Sequence, residues 1–355
     1  MLRGTGTAVS GEMRNTMKTR ADDHVMLVHG GGGEMTRRFL DAHVLPGLAN
    51  EFLDPLLDSA VLPPVEGSLC MTTDAFVVQP LEFPGGDIGR LAVCGTINDL
   101  AVMGARPLAL SLALVMEEGL PLAVLDRVMA SIAGAAGEAG TPVVTGDTKV
   151  VERNRGDGLL ITTAGLGVLD EGPRLAPGRI EAGDEILVTG PIAEHGLAVM
   201  VAREGLGITS RLESDAAPLA GLVEAMVSSG GEVKFLRDPT RGGVAGVVAD
   251  LVEDTGLGVE IEEEALPVPA PVRHAAELLG LDPLTVANEG KIVVVAAKGA
   301  GERVLEACHA HPRGKGAVRI GRMVRAEPPL AELITSIGGR RIIQRPYGEE
   351  LPRIC

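Results

Sequence analysis

The chain has no tryptophan, one tyrosine (Tyr347) and five phenylalanines in 355 residues. A nucleotide base bound here would therefore rest between aliphatic side chains rather than on an aromatic shelf. Positive charge is also short. Against 48 Asp and Glu stand 32 Lys and Arg, a formal net charge of -16, which argues against nucleic acid and anionic membrane partners. Cysteine is limited to Cys70, Cys94, Cys308 and Cys355, with no C-x-x-C spacing, so structural zinc is not expected. The usage fits a reduced, cytoplasmic protein. No apolar run of membrane-spanning length lacks a charge. Residues 1–22 are polar and Thr/Arg-rich without an apolar stretch. They read as a disordered extension and not a signal peptide.

What is present is an α/β (α+β) pattern long enough for two domains, each with its own core. The central stretch is 86–104, GDIGRLAVCGTINDLAVMG. Asp87 behind Pro84-Gly85-Gly86 predicts a helix N-cap, and Gly104 followed by Pro107 predicts the stop. Between them Ile88, Leu91, Ala92, Gly95, Asp99 and Val102 form one helical stripe. Asp99 is thus a carboxylate set among apolar neighbours and near the negative end of the helix dipole, which calls for a cation.

Around it the pattern predicts a short strand over 25–28, a glycine loop at 29–34 and a helix over 35–48. Strands follow over 68–78, 107–116, 142–149 and 159–168, with a helix over 122–138. This N-terminal, ATP-binding domain spans 23–170, and the Pro/Gly-rich segment 171–183 reads as a linker. A second domain over 184–343 has strands at 185–189, 258–262 and 291–297, helices at 217–228, 244–254, 271–279 and 301–310, and two terminal strands. Residues 344–355 read as an extended, flexible tail ending in Cys355.

Five aspartates sit at element edges in apolar or glycine-rich settings: Asp58, Asp74, Asp99, Asp147 and Asp238. Such residues are commonly caps, but five across both domains predict convergence on one cleft. Carboxylates without His or Cys neighbours select Mg²⁺, and Mg²⁺ held this way usually accompanies a nucleoside triphosphate. Lys149 and Arg241 are placed to meet phosphate oxygens. The amides of Gly31 and Gly32 could wrap phosphates, a weak signal shared with any flexible connector. Glu289 is a candidate general base and His29, beside the glycine loop, a second. The α-carboxylate beside the Cys355 thiol disfavours its thiolate, which suits a thiol that receives a group from a partner.

Seven segments carry a specific resemblance: HGGGG (29–33), TTDAF (72–76), GDIGRLAVCGTINDLAVMGA (86–105), GDTKV (146–150), RDPTRGG (237–243), ANEGK (287–291) and PRIC (352–355). From about residue 24 to the end the chain resembles the HypE family of hydrogenase maturation factors. That family lies within the superfamily of aminoimidazole ribonucleotide synthetase and selenophosphate synthetase, and the PRIC terminus is what narrows the match. The resemblance implies a two-domain synthetase-like fold, with N-terminal mixed sheets pairing in a homodimer and a C-terminal α/β sandwich. It implies ATP and Mg²⁺ in the cleft, with metal at Asp58, Asp99 and Asp238 and nucleotide contacts at Asp74, Asn98, Asp147, Thr148, Arg241, Gly31 and Gly32. It also implies the reaction: the partner HypF carbamoylates Cys355, ATP-dependent dehydration yields a thiocyanate, and cyanide passes to iron on a HypC–HypD complex. Lys149 would neutralise developing phosphate charge there, and Glu289 and then His29 would serve as base. The rivals are a selenophosphate synthetase, a thiamine-monophosphate-type kinase and an ATP-gated scaffold without chemistry. The first would need a Cys or selenocysteine with a Lys in the loop that reads HGGGGE, and the second leaves PRIC without a purpose.

Overall fold

A computed structural model describes residues 23–169, 175–205, 212–348 and 353–355. The expected amino-terminal extension, the first part of the expected linker and residues 349–352 of the tail lie outside the described residues. In the first half, a 3-10 turn Leu27–Gly30 precedes α1 (Glu34–Phe39). Then come β1 (Ser68–Phe76), a small hairpin of β2 (Glu82–Phe83) and β3 (Gly86–Asp87), α2 (Ile88–Val102), β4 (Arg106–Glu117), α3 (Leu122–Ala139), β5 (Val143–Val151) and β6 (Leu159–Leu169). The sheet order is β1-β6-β4-β5, with β4 and β5 parallel and the other pairs antiparallel.

The second half holds β7 (Glu185–Val188), α4 (Glu194–Arg203), α5 (Ala220–Val227), β8 (Val233–Arg237), α6 (Gly243–Thr255) and β9 (Gly258–Glu262). It continues through α7 (Ala270–Leu279), β10 (Val293–Ala296), α8 (Gly301–Ala310), β11 (Val318–Val324), β12 (Ala331–Ile334) and β13 (Arg340–Ile342). Its seven strands run β13-β12-β9-β11-β7-β10-β8, mixed through one parallel pair, β12 with β9.

The helix expected over 86–104 forms as the cap residues dictate. Asp87 Oδ1 accepts from the amides of Gly89 and Arg90 at 2.8 and 2.9 Å, and Gly104 follows the last turn at φ +80°. It is buried on every side rather than along one stripe; only Arg90 and Asp99 keep partial exposure. One face lies on the inner side of the first sheet, another on α3, and its far end meets α5 and β8 of the second half. Gly89 is required by the α2–α3 crossing, because a Cβ there would stand 2.6 Å from the carbonyl oxygen of Val128.

The helix also fastens the two halves together. Asn98 donates to the carbonyls of Ala217 (3.0 Å) and Glu289 (3.1 Å) and accepts from the amide of Leu219 (2.8 Å). Arg90 Nε donates to the carbonyl of Ala216 (2.8 Å), and Glu138 joins Arg90 to Arg313.

Three expectations are corrected. Val25–Val28 is not a strand: only His24 makes an isolated bridge, to Pro121, and the chain then coils into the 3-10 turn. Helix α4 and strand β8 were not anticipated. The second half closes on three terminal strands, not two.

Candidate active site

Strand β1 alternates, sending Cys70, Thr72, Asp74 and Phe76 toward α2 and Leu69, Met71, Thr73 and Ala75 outward. Asp74 and Asp99 thereby come together. Thr72 Oγ1 donates to Asp99 Oδ2 (2.8 Å), Thr96 Oγ1 donates to Asp74 Oδ2 (3.0 Å), and Asp74 lies near enough to raise the Asp99 carboxyl. Strand β8 delivers Asp238 to the same place, and the segment before β10 delivers Glu289. Burial first, then Asp238 and Asp74, push the Asp99 carboxyl up to about 7. Burial and Asp74 raise Asp238. Glu289, 2% exposed, is pushed well above its ordinary value by burial, then by Asp238, Asp215, Asp74 and Asp99. Its Oε1 has no hydrogen-bond partner.

Gathered carboxylates of this kind are costly unless a cation is shared among them. No three Asp, Glu, His or Cys side chains among the described residues form a closed metal cage. One or two carboxylates plus incoming phosphate oxygens is the coordination Mg²⁺ prefers, so the donor set fits a metal that arrives with a phosphate ligand.

The chain's own terminus enters this acidic pocket. Ile354 is 3% exposed within the core that includes Phe76, Phe83 and Leu91. The partly buried Cys355 thiol is pushed up to about 12, by burial and then by Glu289, while the positive charge of Arg241 opposes the rise. Gly95 leaves room at the wall, where a Cβ would meet the Phe76 ring at 3.0 Å and Glu289 Oε2 at 3.9 Å.

Behind Glu289 lies a buried ion pair that sequence reasoning missed. Asp215 accepts from the Glu289 amide (3.1 Å) and faces Lys291 Nζ (3.1 Å), which also approaches Glu194 (3.4 Å). Burial alone would raise Asp215, yet Lys291 and His195 hold it below the ordinary range. Gly290 permits this packing, since a Cβ would fall 1.8 Å from the Asp215 carbonyl oxygen.

The other expected site residues stand elsewhere in the chain. Asp58 is exposed in a bend outside the cluster. Asp147 and Lys149 pair at 2.7 Å on the open side of the first sheet, aligned with the outward Ala113 and Val115, and so lie across the sheet from Asp74 and Asp99. Thr148 is their neighbour on β5. Gly31 and Gly32 belong to the loop whose Gly30 packs on Val150 of β5. His29 is packed into its loop: its ring stacks on Phe39 at 4.8 Å, Nδ1 accepts from the Met26 amide, and burial and then His43 lower its pKa. Asn98 turns both ends of its amide to the interdomain bonds described above.

Family models match over two stretches: AIR synthase related protein, N-terminal domain, at residues 57–169, and its C-terminal domain at 181–328. A carbamoyl dehydratase HypE of Azotobacter vinelandii is 47% identical over 331 residues, 93% of this chain and 97% of the relative. A crystal structure of the hydrogenase maturation protein HypE in complex with ATP superposes with a TM-score of 0.89 at 39% identity, covering 93% of this chain and 99% of that one. The HypE chain of a HypE–HypF complex matches at TM-score 0.76 and 44% identity, covering 89% and 100%.

Proposed function

Because the chain belongs to the HypE family, we propose that it is an ATP-dependent carbamoyl dehydratase of hydrogenase maturation, acting on a group carried by its own Cys355. The observation that carries this reading is the position of the terminal sulfur, inside a pocket of raised carboxylates and beside Arg241. In the overall change, an S-carbamoyl group loses its oxygen and both N–H protons. The C–O bond breaks, the oxygen leaves with phosphate, a C≡N bond completes a thiocyanate, and ADP is released. ATP, when bound, supplies the phosphoryl group that makes the amide oxygen able to leave, and Mg²⁺ screens its charge.

The chain's residues do the rest. Asp99 and Asp238, with Asp74 beside them, are the groups to hold the metal. Glu289, unpartnered at Oε1 and held at its backbone by Asp215, is the base for the nitrogen protons. Arg241 orients the sulfur, and the pocket walls keep water from the reacting carbon. Nitrile formation needs Glu289 ionised, which the metal's positive charge favours by offsetting the neighbouring carboxylates.

The working halves are 23–170 and 184–343. Lys149 with Asp147, Thr148, Gly31 and Gly32 would serve an adjoining site, and a homodimer formed through the open sheet face is the means. That face is apolar and exposed, with Leu69 at 63% and Met71 at 73%, an unusual surface for a lone chain. Asp58 would join the metal ligands by rearrangement of its bend. HypF is the carbamoyl donor in this reading, in keeping with the HypE–HypF complex, and a HypC–HypD complex is the acceptor of cyanide. Among the described residues no helix is long and apolar enough to cross a membrane.

The test is the intact mass of the C-terminal peptide after carbamoylation. Loss of one water on adding ATP and Mg²⁺, and no modified species in Cys355→Ala, is the expected result. Full retention of the carbamoyl mass while ATP is consumed would leave an ATP-gated scaffold instead.

A further inference from the structure

We infer that His195 and Arg203 are positioning residues that grip the backbone carbonyls of Ile354 and Arg353, so that the Cys355 sulfur reaches the pocket whatever group it carries. The turnover arm of this inference rests on the dehydratase reading; the grip itself does not.

The contacts divide cleanly between backbone and sulfur. The carbonyl of Arg353 accepts from Arg203 Nη2 at 2.6 Å and from the Gln79 amide at 3.2 Å. Arg203 Nε is tied to the Gln79 carbonyl at 2.8 Å, so one guanidinium spans both segments of the chain. The carbonyl of Ile354 faces His195 Nε2 at 3.0 Å. His195 Nδ1 lies 2.8 Å from Ser214 Oγ, which itself accepts from the Ala216 amide at 3.2 Å. A carbonyl oxygen can only accept, so Nε2 carries the proton aimed at Ile354, and in the neutral ring Nδ1 accepts from the Ser214 hydroxyl. The ring is fully buried and packed edge-on against Phe83 at 5.5 Å; burial lowers its pKa while Asp215 and the Ile354 carbonyl oppose the fall.

Ile354 fills an apolar seat, and the Arg353 side chain reaches Asp157 at 3.0 Å. Arg353 adopts φ +56°, a left-handed conformation that a non-glycine residue holds only where surrounding contacts over-determine it. The sulfur has other neighbours, Glu289 and Arg241, whose charges act on the thiol. A thiol, a carbamoyl group and a thiocyanate thus meet the same backbone grip, and loading the sulfur does not by itself release the tail.

The experiment is pulsed iodoacetamide labelling of the full-length protein at pH 8 without ATP, read by mass at the C-terminal peptide. Cys355 of the wild type is expected to label at least tenfold more slowly than the same cysteine in a synthetic peptide RPYGEELPRIC. His195→Ala removes one hydrogen bond and should speed labelling about fivefold. His195→Gln keeps an N–H donor and should recover part of the protection. Ile354→Ala, which empties the seat from the tail side, should speed it about tenfold or more. Cys94 and Cys308, both buried, serve as internal controls and should stay unlabelled throughout.

In the turnover arm, His195→Ala should slow ATP-dependent water loss from the carbamoylated tail while carbamoylation by the donor enzyme is not slowed. A purely structural defect would slow both. Wild-type labelling as fast as the free peptide overturns the grip, as does an unchanged rate in His195→Ala and Ile354→Ala with Cys94 and Cys308 silent. Should His195→Ala expose Cys94, Ile354→Ala decides. Protected Cys355 in a protein that never loses water would overturn the dehydratase reading and leave the grip standing.

Discussion

Asp99→Asn removes one charge from the cluster and keeps an acceptor for Thr72. In the folded, ligand-free protein the Asp99 carboxyl titrates at about 7 against an ordinary 3.8. That difference corresponds to about 4 kcal/mol, and residual solvent contact screens it to about 2 kcal/mol. The sign follows from where the proton sits. The folded state retains it to higher pH than the unfolded state, so the penalty is absent below the unfolded pKa, grows between pH 4 and 7, and is complete above that. Ligand-free wild type should therefore lose stability over this range, and the variant should be spared the Asp99 share. Urea unfolding in EDTA at pH 8 is expected to show Asp99→Asn more stable by about 2 kcal/mol, with less than half of that gain at pH 5. Adding ATP and Mg²⁺ should reverse the order, stabilising wild type strongly and the variant little, with turnover abolished in the variant. Equal stability at pH 8 together with an undiminished response to ATP and Mg²⁺ would refute the clustering argument and leave Asp99 a helix-end residue.

Glu289→Gln should lower the rate of water loss from the carbamoylated tail by about 10²–10⁴-fold, with carbamoylation by the donor enzyme intact, as read by single-turnover mass measurements. Asn98→Ala breaks three buried hydrogen bonds between the halves and should cost about 3 kcal/mol in urea unfolding; a loss under 0.5 kcal/mol would count against the tie. Met71→Glu, placed on the open face of the first sheet, should convert a dimer to monomers in sedimentation and lower ATP turnover, whereas an unaltered dimer would move the interface elsewhere.

The parts of the fold that read directly from sequence are those with local punctuation. Asp87 and Gly104 bracket α2 through contacts within three residues, and the 258–262 strand and 301–310 helix have an apolar period bounded by turn chemistry. Helix α4 has no such signal. Its N-cap is Ala193 at φ +70° with no side-chain cap, and it forms because the second half packs around it. Strand β8 hides because Lys234 sits in its middle, and the neutralising Asp184 and Glu181 lie some fifty residues away in sequence. The site divides the same way. Asp74 and Asp99 betray themselves as acids in apolar company, and Asp238 and Glu289 as acids in the glycine-bearing segments RDPTRGG and ANEGK. Asp215 and His195 do not, since their roles come from Lys291, the Glu289 amide and a tail carbonyl far along the chain. The outward placement of Asp147 and Lys149 is a matter of strand parity, which a register error of one residue would reverse.

A helix wedged among two sheets and bolted at Asn98 leaves little freedom for the halves to hinge. On the dehydratase reading proposed above, placement of the sulfur and not the breathing of the walls would then set when chemistry begins.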